Sequence, residues 1–344
     1  MIKVGIIGAT GYAGVELVRI ILGHPQAELS AVGSVSFTGK KLSDVYPSLA
    51  DCCDMELVST EEVIARSDIV FACVQHGLSQ EFAAQCHEKN VKFIDLGADF
   101  RLEEEADYKE WYGLDYTHHE LHEEAVYALP ELYRDKIKGK TVLGNPGCYP
   151  TSIALGLAPA MKNHLVRTQG VVIDSKSGVT GSGRKLTEGT HYPVCNEAFE
   201  PYKIAAHRHT PEIEQTLSDL AGEKLKVVFV PHLLPVNRGI VSTIYAHLNP
   251  GVTEEQVRGA YETFYADEKF VRVKPAGQTA NLRNVKCSNY CDISLHVDPR
   301  TDTLIVVSTI DNMVKGAAGQ AVQNMNILFG LPEDTGLNMV PTSF

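Results

Sequence analysis

Nothing in the 344-residue sequence approaches the run of about eighteen apolar residues that a membrane-spanning helix needs, so no membrane partner is expected. A basic excess is missing too. Asp and Glu total 43 against 31 for Lys and Arg, a formal net charge of −12. Phosphate backbones are bound by basic surfaces, so a nucleic-acid partner is excluded. Any phosphate handled here should be small and held by a few arginines or lysines. The chain opens on a strand-like run, Met1-Ile2-Lys3-Val4-Gly5-Ile6-Ile7-Gly8, without the basic stretch, apolar core and cleavage site of a secretory signal. The cytoplasm is the expected compartment. No two of the eight cysteines form a C-x-x-C pair, and a chain of this length needs no disulfide scaffold. No internal repeat, low-complexity tract or flexible linker is visible.

What is present is an ordinary globular composition, 44% hydrophobic and 22% charged, with length enough for two cores. Up to residue 95, short apolar runs at 4–7, 29–35, 69–72 and 92–95 alternate with helix-like segments at 14–22, 61–66 and 79–89. That alternation predicts crossover units and a parallel sheet with covered faces. From about residue 150 the strand-like runs lengthen and crowd together, at 170–175, 225–230, 240–248, 291–298 and 303–310. A mixed or antiparallel sheet in a second domain is expected there. A last helical stretch, 314–329, carries Gly316, Ala317, Ala318 and Gly319 for close packing and is expected to return to the first domain.

Gly8-Ala9-Thr10-Gly11-Tyr12-Ala13-Gly14 follows the first strand and opens the first helix. Glycines at this spacing allow a tight turn and close backbone approach, and the helix N-terminus offers N–H groups to a pyrophosphate. The fold class expected is therefore α/β, with a Rossmann-type nucleotide-binding domain and a second, α+β domain. At the end of the second strand, an NAD enzyme usually carries an acid for the ribose hydroxyls. This chain has Gly33-Ser34-Val35-Ser36-Phe37-Thr38-Gly39-Lys40-Lys41, with no acid before Asp44. Hydroxyls and lysines accept a 2′-phosphate where an acid would repel it, so NADP is favoured. Ser34 and Ser36 are the first candidates to hold it, with Lys40 and Lys41 next.

Cys148 differs from the other thiols. In Asn145-Pro146-Gly147-Cys148-Tyr149-Pro150-Thr151-Ser152 it sits at or just before the start of an apolar helix, where Pro150 suits the first turn. The dipole and unpaired N–H groups there stabilise a thiolate and could receive the oxyanion of a tetrahedral intermediate. The bland alternative is a small residue filling a helix start. A thiolate needs a proton-transfer partner. His207-Arg208-His209-Thr210-Pro211-Glu212 supplies one, with Thr210 and Pro211 read as N-cap and first residue of another helix. His209 then precedes a positive helix end that keeps its imidazole neutral, and Glu212 is a candidate to orient it. His118 and His122 could share a helix face, but no third ligand stands out and no metal is expected. A second glycine loop, Ser177-Gly178-Val179-Thr180-Gly181-Ser182-Gly183-Arg184-Lys185, suits a phosphate or the nicotinamide side of a cofactor. Arg101, Arg184 and Arg208 compete for anionic substrate groups, against the alternative of surface ion pairs.

Taken together, these stretches resemble the N-acetyl-gamma-glutamyl-phosphate reductase family of arginine biosynthesis, among the semialdehyde dehydrogenases. The resemblance covers essentially the whole chain and extends to Pro231-His232-Leu233-Leu234-Pro235-Val236-Asn237-Arg238-Gly239 and Asp311-Asn312-Met313-Val314-Lys315-Gly316-Ala317-Ala318-Gly319-Gln320. It implies an NADPH-binding domain over 1–147 and 314–344, and a catalytic and oligomerisation domain with a mixed sheet over 148–313. It further implies Cys148 as nucleophile, His209 as acid–base, Asn312 near the nicotinamide, and a homodimer or homotetramer acting on a small acyl phosphate and releasing phosphate. Two places depart from the pattern. Ser34-Val35-Ser36 lacks an arginine often found near the 2′-phosphate, and Val74-Gln75-His76-Gly77 lacks a more usual proline before the histidine. A reductase for another acyl phosphate, such as aspartyl phosphate, would share the motifs that bear on chemistry. A non-catalytic NADPH sensor would not need Cys148, His209 and the second glycine loop together.

Overall fold

The computed structural model describes residues 1–342. The chain forms two compact units, residues 1–146 with 317–338, and residues 147–316 with 339–342. Against the bounds expected above, residues 147, 314–316 and 339–342 cluster with the second unit.

The first unit carries strands β1 (Ile2–Ile7), β2 (Ala27–Gly33), β3 (Leu57–Val58), β4 (Ile69–Ala72), β5 (Lys92–Asp95), β6 (Val126–Tyr127) and β7 (Val142–Gly144). They pair in the order β3-β2-β1-β4-β5-β7-β6, and each pair is parallel. Val4, Ile6 and Ile7 on β1 and all of β4 are buried, as strands covered on both faces must be. The strand order runs one way from β1 to β3 and the other way from β4 onward. The turn after β1 therefore lies at the topological switch point, where open α/β sheets bind ligands. Helix Tyr12–Leu22 buries Leu17, Val18, Ile20 and Ile21 and stops at Gly23. Helix Thr60–Ala65 is capped by Ser59, whose hydroxyl accepts the Glu62 N–H at 3.3 Å, and has Glu61 and Glu62 in its first turn. Helix Gly319–Leu328 is buried on every side. Gln323 Nε2 donates to Glu131 Oε1 (3.2 Å) and Asn324 Nδ2 to the Ala128 carbonyl (2.8 Å), which gives its polar side chains partners inside the unit.

The second unit carries β8 (Val172–Gly178), β9 (Glu200–Pro201), β10 (Val228–Leu234), β11 (Ile240–His247), β12 (Val271–Val273), β13 (Cys291–Asp298) and β14 (Thr303–Ile310). Their order is β12-β13-β14-β11-β8-β10-β9. Only β12/β13 and β8/β10 are parallel, so the sheet is mixed. Burial alternates along β11, with Ile240, Ser242, Ile244 and Ala246 inside. Helix Cys148–Lys162 lies on that inner face. Ser152 Oγ donates to Ser242 Oγ at 3.0 Å, and a Cβ at Gly156 would come within 3.0 Å of Ile244.

The stretch expected as one helix from 314 is two pieces. Val314–Ala318 is a π turn, in which the Gly316 N–H donates to the Asp311 carbonyl at 3.0 Å, and the α-helix starts at Gly319. Among the described residues no helix is long and apolar enough to cross a membrane.

Candidate active site

In the first unit the glycine turn is built as its spacing requires. Gly8 has φ +83°, and a Cβ there would meet the Cys73 carbonyl at 2.3 Å. At Gly14 a Cβ would strike the Gly8 carbonyl at 2.3 Å, so the first helical turn can sit down on the loop only without a side chain. Gly8 and Ala9 N–H both donate to the Gly33 carbonyl at 3.0 Å, which ties the turn to the end of β2. Gly11 is the N-cap of helix Tyr12–Leu22, with no side-chain cap and no acid in the first turn. Tyr12 and Ala13 form that turn. Thr10 Oγ1 and Ser34 Oγ share a hydrogen bond of 2.8 Å, and both residues are buried. Ser36, Lys40 and Lys41 are exposed. No acid follows β2 until Asp44, and the glycine turn with its open helix start fits the pyrophosphate of a nicotinamide dinucleotide.

Arg101 lies in the first unit, after β5. It is 8% exposed, and its Nε and Nη2 donate to the carbonyls of Asn145 (2.8 Å) and Leu96 (2.9 Å). Nearby lies a pair absent from the sequence reading. Asp95 accepts from Ser79 Oγ (2.6 Å), Gly97 N–H (2.7 Å) and Asp99 N–H (3.0 Å), while Asp99 accepts from Gly77 N–H, Ser79 N–H and Tyr108 OH. Burial, and then the neighbouring Asp99 carboxylate, push the Asp95 carboxyl up to about 6. The loops after β4 and β5 are anchored by this pair. The histidine cluster does not share a helix face, since the helix is His119–Glu124 and His118 precedes it. His122 stacks on Tyr116 at 3.5 Å and burial lowers it to about 4.

In the second unit Cys148 is the first residue of helix Cys148–Lys162, with extended Gly147 as N-cap. The Thr151 N–H closes the first turn on the Gly147 carbonyl at 2.9 Å. A Cβ at Gly316 would lie 2.8 Å from Cys148 Cβ, so only glycine lets the Asp311–Gly316 turn pass this close. All eight cysteines are free thiols. Burial pushes Cys53, Cys73 and Cys86 up, to about 12 for Cys86, so those three are protonated packing groups.

Glu212 is 1% exposed and its Oε1 accepts the Gly147 N–H at 2.7 Å. Gly147 is the N-cap of the helix that Cys148 begins, so this carboxylate anchors that helix start. Glu212 also lies in the first turn of its own helix, Thr210–Ala221, where the dipole favours its charge. His209, not Thr210, is the N-cap of that helix. The one-residue shift arises because the Ile213 N–H closes the first turn on the His209 carbonyl at 3.0 Å. The His209 N–H donates to His207 Nδ1 at 3.1 Å, with the two rings 4.9 Å apart. His207 is buried, and burial with the nearby Lys203 and Arg208 charges lowers it to about 4. It is neutral at pH 7, with Nδ1 as acceptor. Tyr149 stands edge-on to His207, His209 and Phe229, and Tyr202 OH donates to Tyr149 OH at 3.3 Å. His207, Tyr149 and Tyr202 were not singled out from the sequence, although His207 lies two residues before His209 and Tyr149 directly follows Cys148.

Asn312 spans the second glycine loop. Its Oδ1 accepts the Gly239 N–H at 2.6 Å and its Nδ2 donates to Thr180 Oγ1 at 3.0 Å. Gly178 comes so close to Asn237 and Arg238 that a Cβ would sit 2.8 Å from their backbone. Ser177 is buried at the end of β8, whereas Arg184 is exposed and Arg208 half-buried.

Comparison with known proteins settles the lineage. Residues 3–140 match the family "Semialdehyde dehydrogenase, NAD binding domain" and residues 148–312 match "Semialdehyde dehydrogenase, dimerisation domain". Curated N-acetyl-gamma-glutamyl-phosphate reductases are 57% identical in Brachyspira hyodysenteriae and 51% identical in Clostridium beijerinckii, each covering 100% of both chains. That of Symbiobacterium thermophilum is 53% identical over 98% of this chain and 97% of its own. The chain belongs to the N-acetyl-gamma-glutamyl-phosphate reductase family. Among solved structures, aspartate semialdehyde dehydrogenase II of Vibrio cholerae superposes with a TM-score of 0.73 at 15% identity, covering 96% of this chain and 98% of that one. The Candida albicans aspartate semialdehyde dehydrogenase with NADP gives 0.65 at 16% identity, covering 95% and 98%. At that identity the likeness is one of fold.

Proposed function

We propose that this chain reduces N-acetyl-L-glutamyl 5-phosphate to N-acetyl-L-glutamate 5-semialdehyde through a thioester on Cys148, using NADPH. The observation that carries the reading is Cys148 at the head of a buried helix, whose N-cap amide is held by a carboxylate from the helix that His209 begins. The Cys148 thiolate attacks the acyl carbon, a C–S bond forms, and phosphate leaves with the C–O electron pair. Helix geometry leaves the Cys148 and Tyr149 amides outside the intrahelical ladder, so they are the donors to receive the oxyanion. NADPH, when bound, supplies the hydride that reduces the thioester. His209 carries the proton as the thiohemiacetal collapses and the C–S bond breaks. Gly8, Gly11 and Gly14 with the helix start at Tyr12 would hold the pyrophosphate, and Thr10, Ser34 and Ser36 the 2′-phosphate. Ser177, Gly178 and Asn312 shape the nicotinamide side. Arg101, Arg184 and Arg208 are the candidates for the anionic groups of the substrate.

Two further statements belong to the same proposal. Eight free thiols suit the reducing cytoplasm. The subunits pair through the outer face of the second sheet, where Val228, Val172 and Tyr245 are cross-strand neighbours and exposed by 56%, 37% and 37%. That apolar row suits a homodimer core. Sedimentation of wild type and Val228→Asp should separate dimer from monomer. For the reaction, phosphate-dependent oxidation of N-acetyl-glutamate semialdehyde should exceed that of aspartate semialdehyde, and Cys148→Ser should abolish it while NADPH still binds. A tenth of the activity surviving in that variant would sink the thioester.

A further inference from the structure

At the β12 edge of the second sheet lies a cavity of about 330 Å³, lined by Arg272, Lys274, Arg283, Asn284, Pro341 and Thr342. None of these residues lies on the elements that carry Cys148, His209 and Glu212. Arg272 is immobilised there. Its Nε donates to Asp292 Oδ1 at 2.6 Å, its Nη2 to the Asn284 carbonyl at 2.9 Å, and its guanidinium stacks 4.2 Å from the Tyr290 ring centre. Lys274 is held differently. Its ammonium is 3.7 Å from Asp292 Oδ2, beyond hydrogen-bond reach, and its side chain is 21% exposed. The Arg283 guanidinium has no hydrogen-bond or ion-pair partner among the described residues. Asp292 is fully buried.

Charge makes this arrangement unusual for the molecule. The chain as a whole carries −12, yet here three cations answer to one carboxylate, leaving about +2 at one cavity. Like charges held at close range repel, and a bound counter-charge relieves the repulsion. The donors also point to several acceptor oxygens on the ligand. A planar arginine fixed on three sides offers its remaining N–H edge without further ordering, and a part-desolvated ammonium gains most from an oxyanion. We propose that this cavity is a second anion site, for a small dianion bearing a phosphoryl group or paired carboxylates.

The test uses the full-length protein, with inorganic phosphate and succinate as probes in isothermal titration calorimetry. Wild type should bind one equivalent of at least one probe per chain more than Lys274→Gln/Arg283→Ala binds, whatever the catalytic centre contributes. Which probe loses the equivalent identifies the phosphoryl or the dicarboxylate class. Arg283 is exposed, so Arg283→Ala alone should fold and weaken that equivalent at least tenfold. Turnover at saturating substrate should stay within twofold in both variants. Equal stoichiometry for both probes in wild type and double variant, or undiminished affinity in Arg283→Ala, overturns the proposal. Because binding is read directly, a failure here leaves the Cys148 chemistry untouched, and a failure of Cys148→Ser leaves this site untouched.

Discussion

Replacing Glu212 separates two roles that a carboxylate beside the proposed nucleophile Cys148 could have. In the structure Glu212 Oε1 accepts the Gly147 N–H at 2.7 Å in a place where Glu212 is 1% exposed. Glu212→Ala leaves that amide buried without its acceptor, a loss of about 1–3 kcal/mol. If the loss is felt where Cys148 meets the acyl carbon, kcat falls roughly 5- to 150-fold. Glu212→Gln keeps an acceptor carbonyl in the same place and should recover most of that activity. The assay is kcat and KM for phosphate-dependent semialdehyde oxidation, together with the pH profile of Cys148 alkylation by iodoacetamide. We expect kcat and the alkylation profile to move in the alanine variant and the KM for NADP to stay put. A glutamine variant as poor as alanine would refute the clamp, since an acceptor would then not be what Glu212 supplies. So would an alanine variant with normal kcat.

Other expectations follow from the same geometry. His207 sits at about 4 in the fold against an ordinary 6.5, so its neutral form is the one folding favours. The stability it contributes is whole above pH 6.5 and is lost as pH falls toward 4, about 3 kcal/mol in all and about 2 by pH 5. Urea unfolding at pH 7 and pH 5 should show that loss in wild type and a clearly smaller one in His207→Gln; parallel slopes would contradict it. Asn312→Ala removes partners from Gly239 N–H and Thr180 Oγ1, so hydrogen exchange should rise at 177–183 and 236–240 while the sheet beneath stays protected. Ser34→Asp places an acid beside Thr10 at the end of β2, and should raise the KM for NADPH at least tenfold with little change for NADH.

Much of the scaffold could be read from residue patterns. The runs at 69–72, 92–95, 291–298 and 303–310 coincide with β4, β5, β13 and β14, because long apolar or alternating segments have one stable pairing. Two-residue strands such as β3, β6 and β9 carry no period and exist only where a neighbour supplies hydrogen bonds. The helix start at Cys148 was legible because Gly147 and Pro150 punctuate it, and local punctuation needs no tertiary knowledge. Glu212 was legible as a polar residue near His209, but its partner, Gly147, is 65 residues away in sequence. The same holds for Arg101, whose anchor at Asn145 is 44 residues distant. Asn312 was placed by likeness to relatives, and the loops it joins became visible only once β8, β10 and β11 had brought them together.

The allocation of groups to units has an evolutionary consequence. Thiol, imidazole and clamping carboxylate all belong to residues 147–316, whereas the glycine turn and the Thr10–Ser34 pair belong to residues 1–146. Changes at the ribose end of the coenzyme can therefore accumulate in the first unit without touching the thiol, imidazole or carboxylate, whereas the groups proposed for the nicotinamide side, Ser177, Gly178 and Asn312, are inherited with the second.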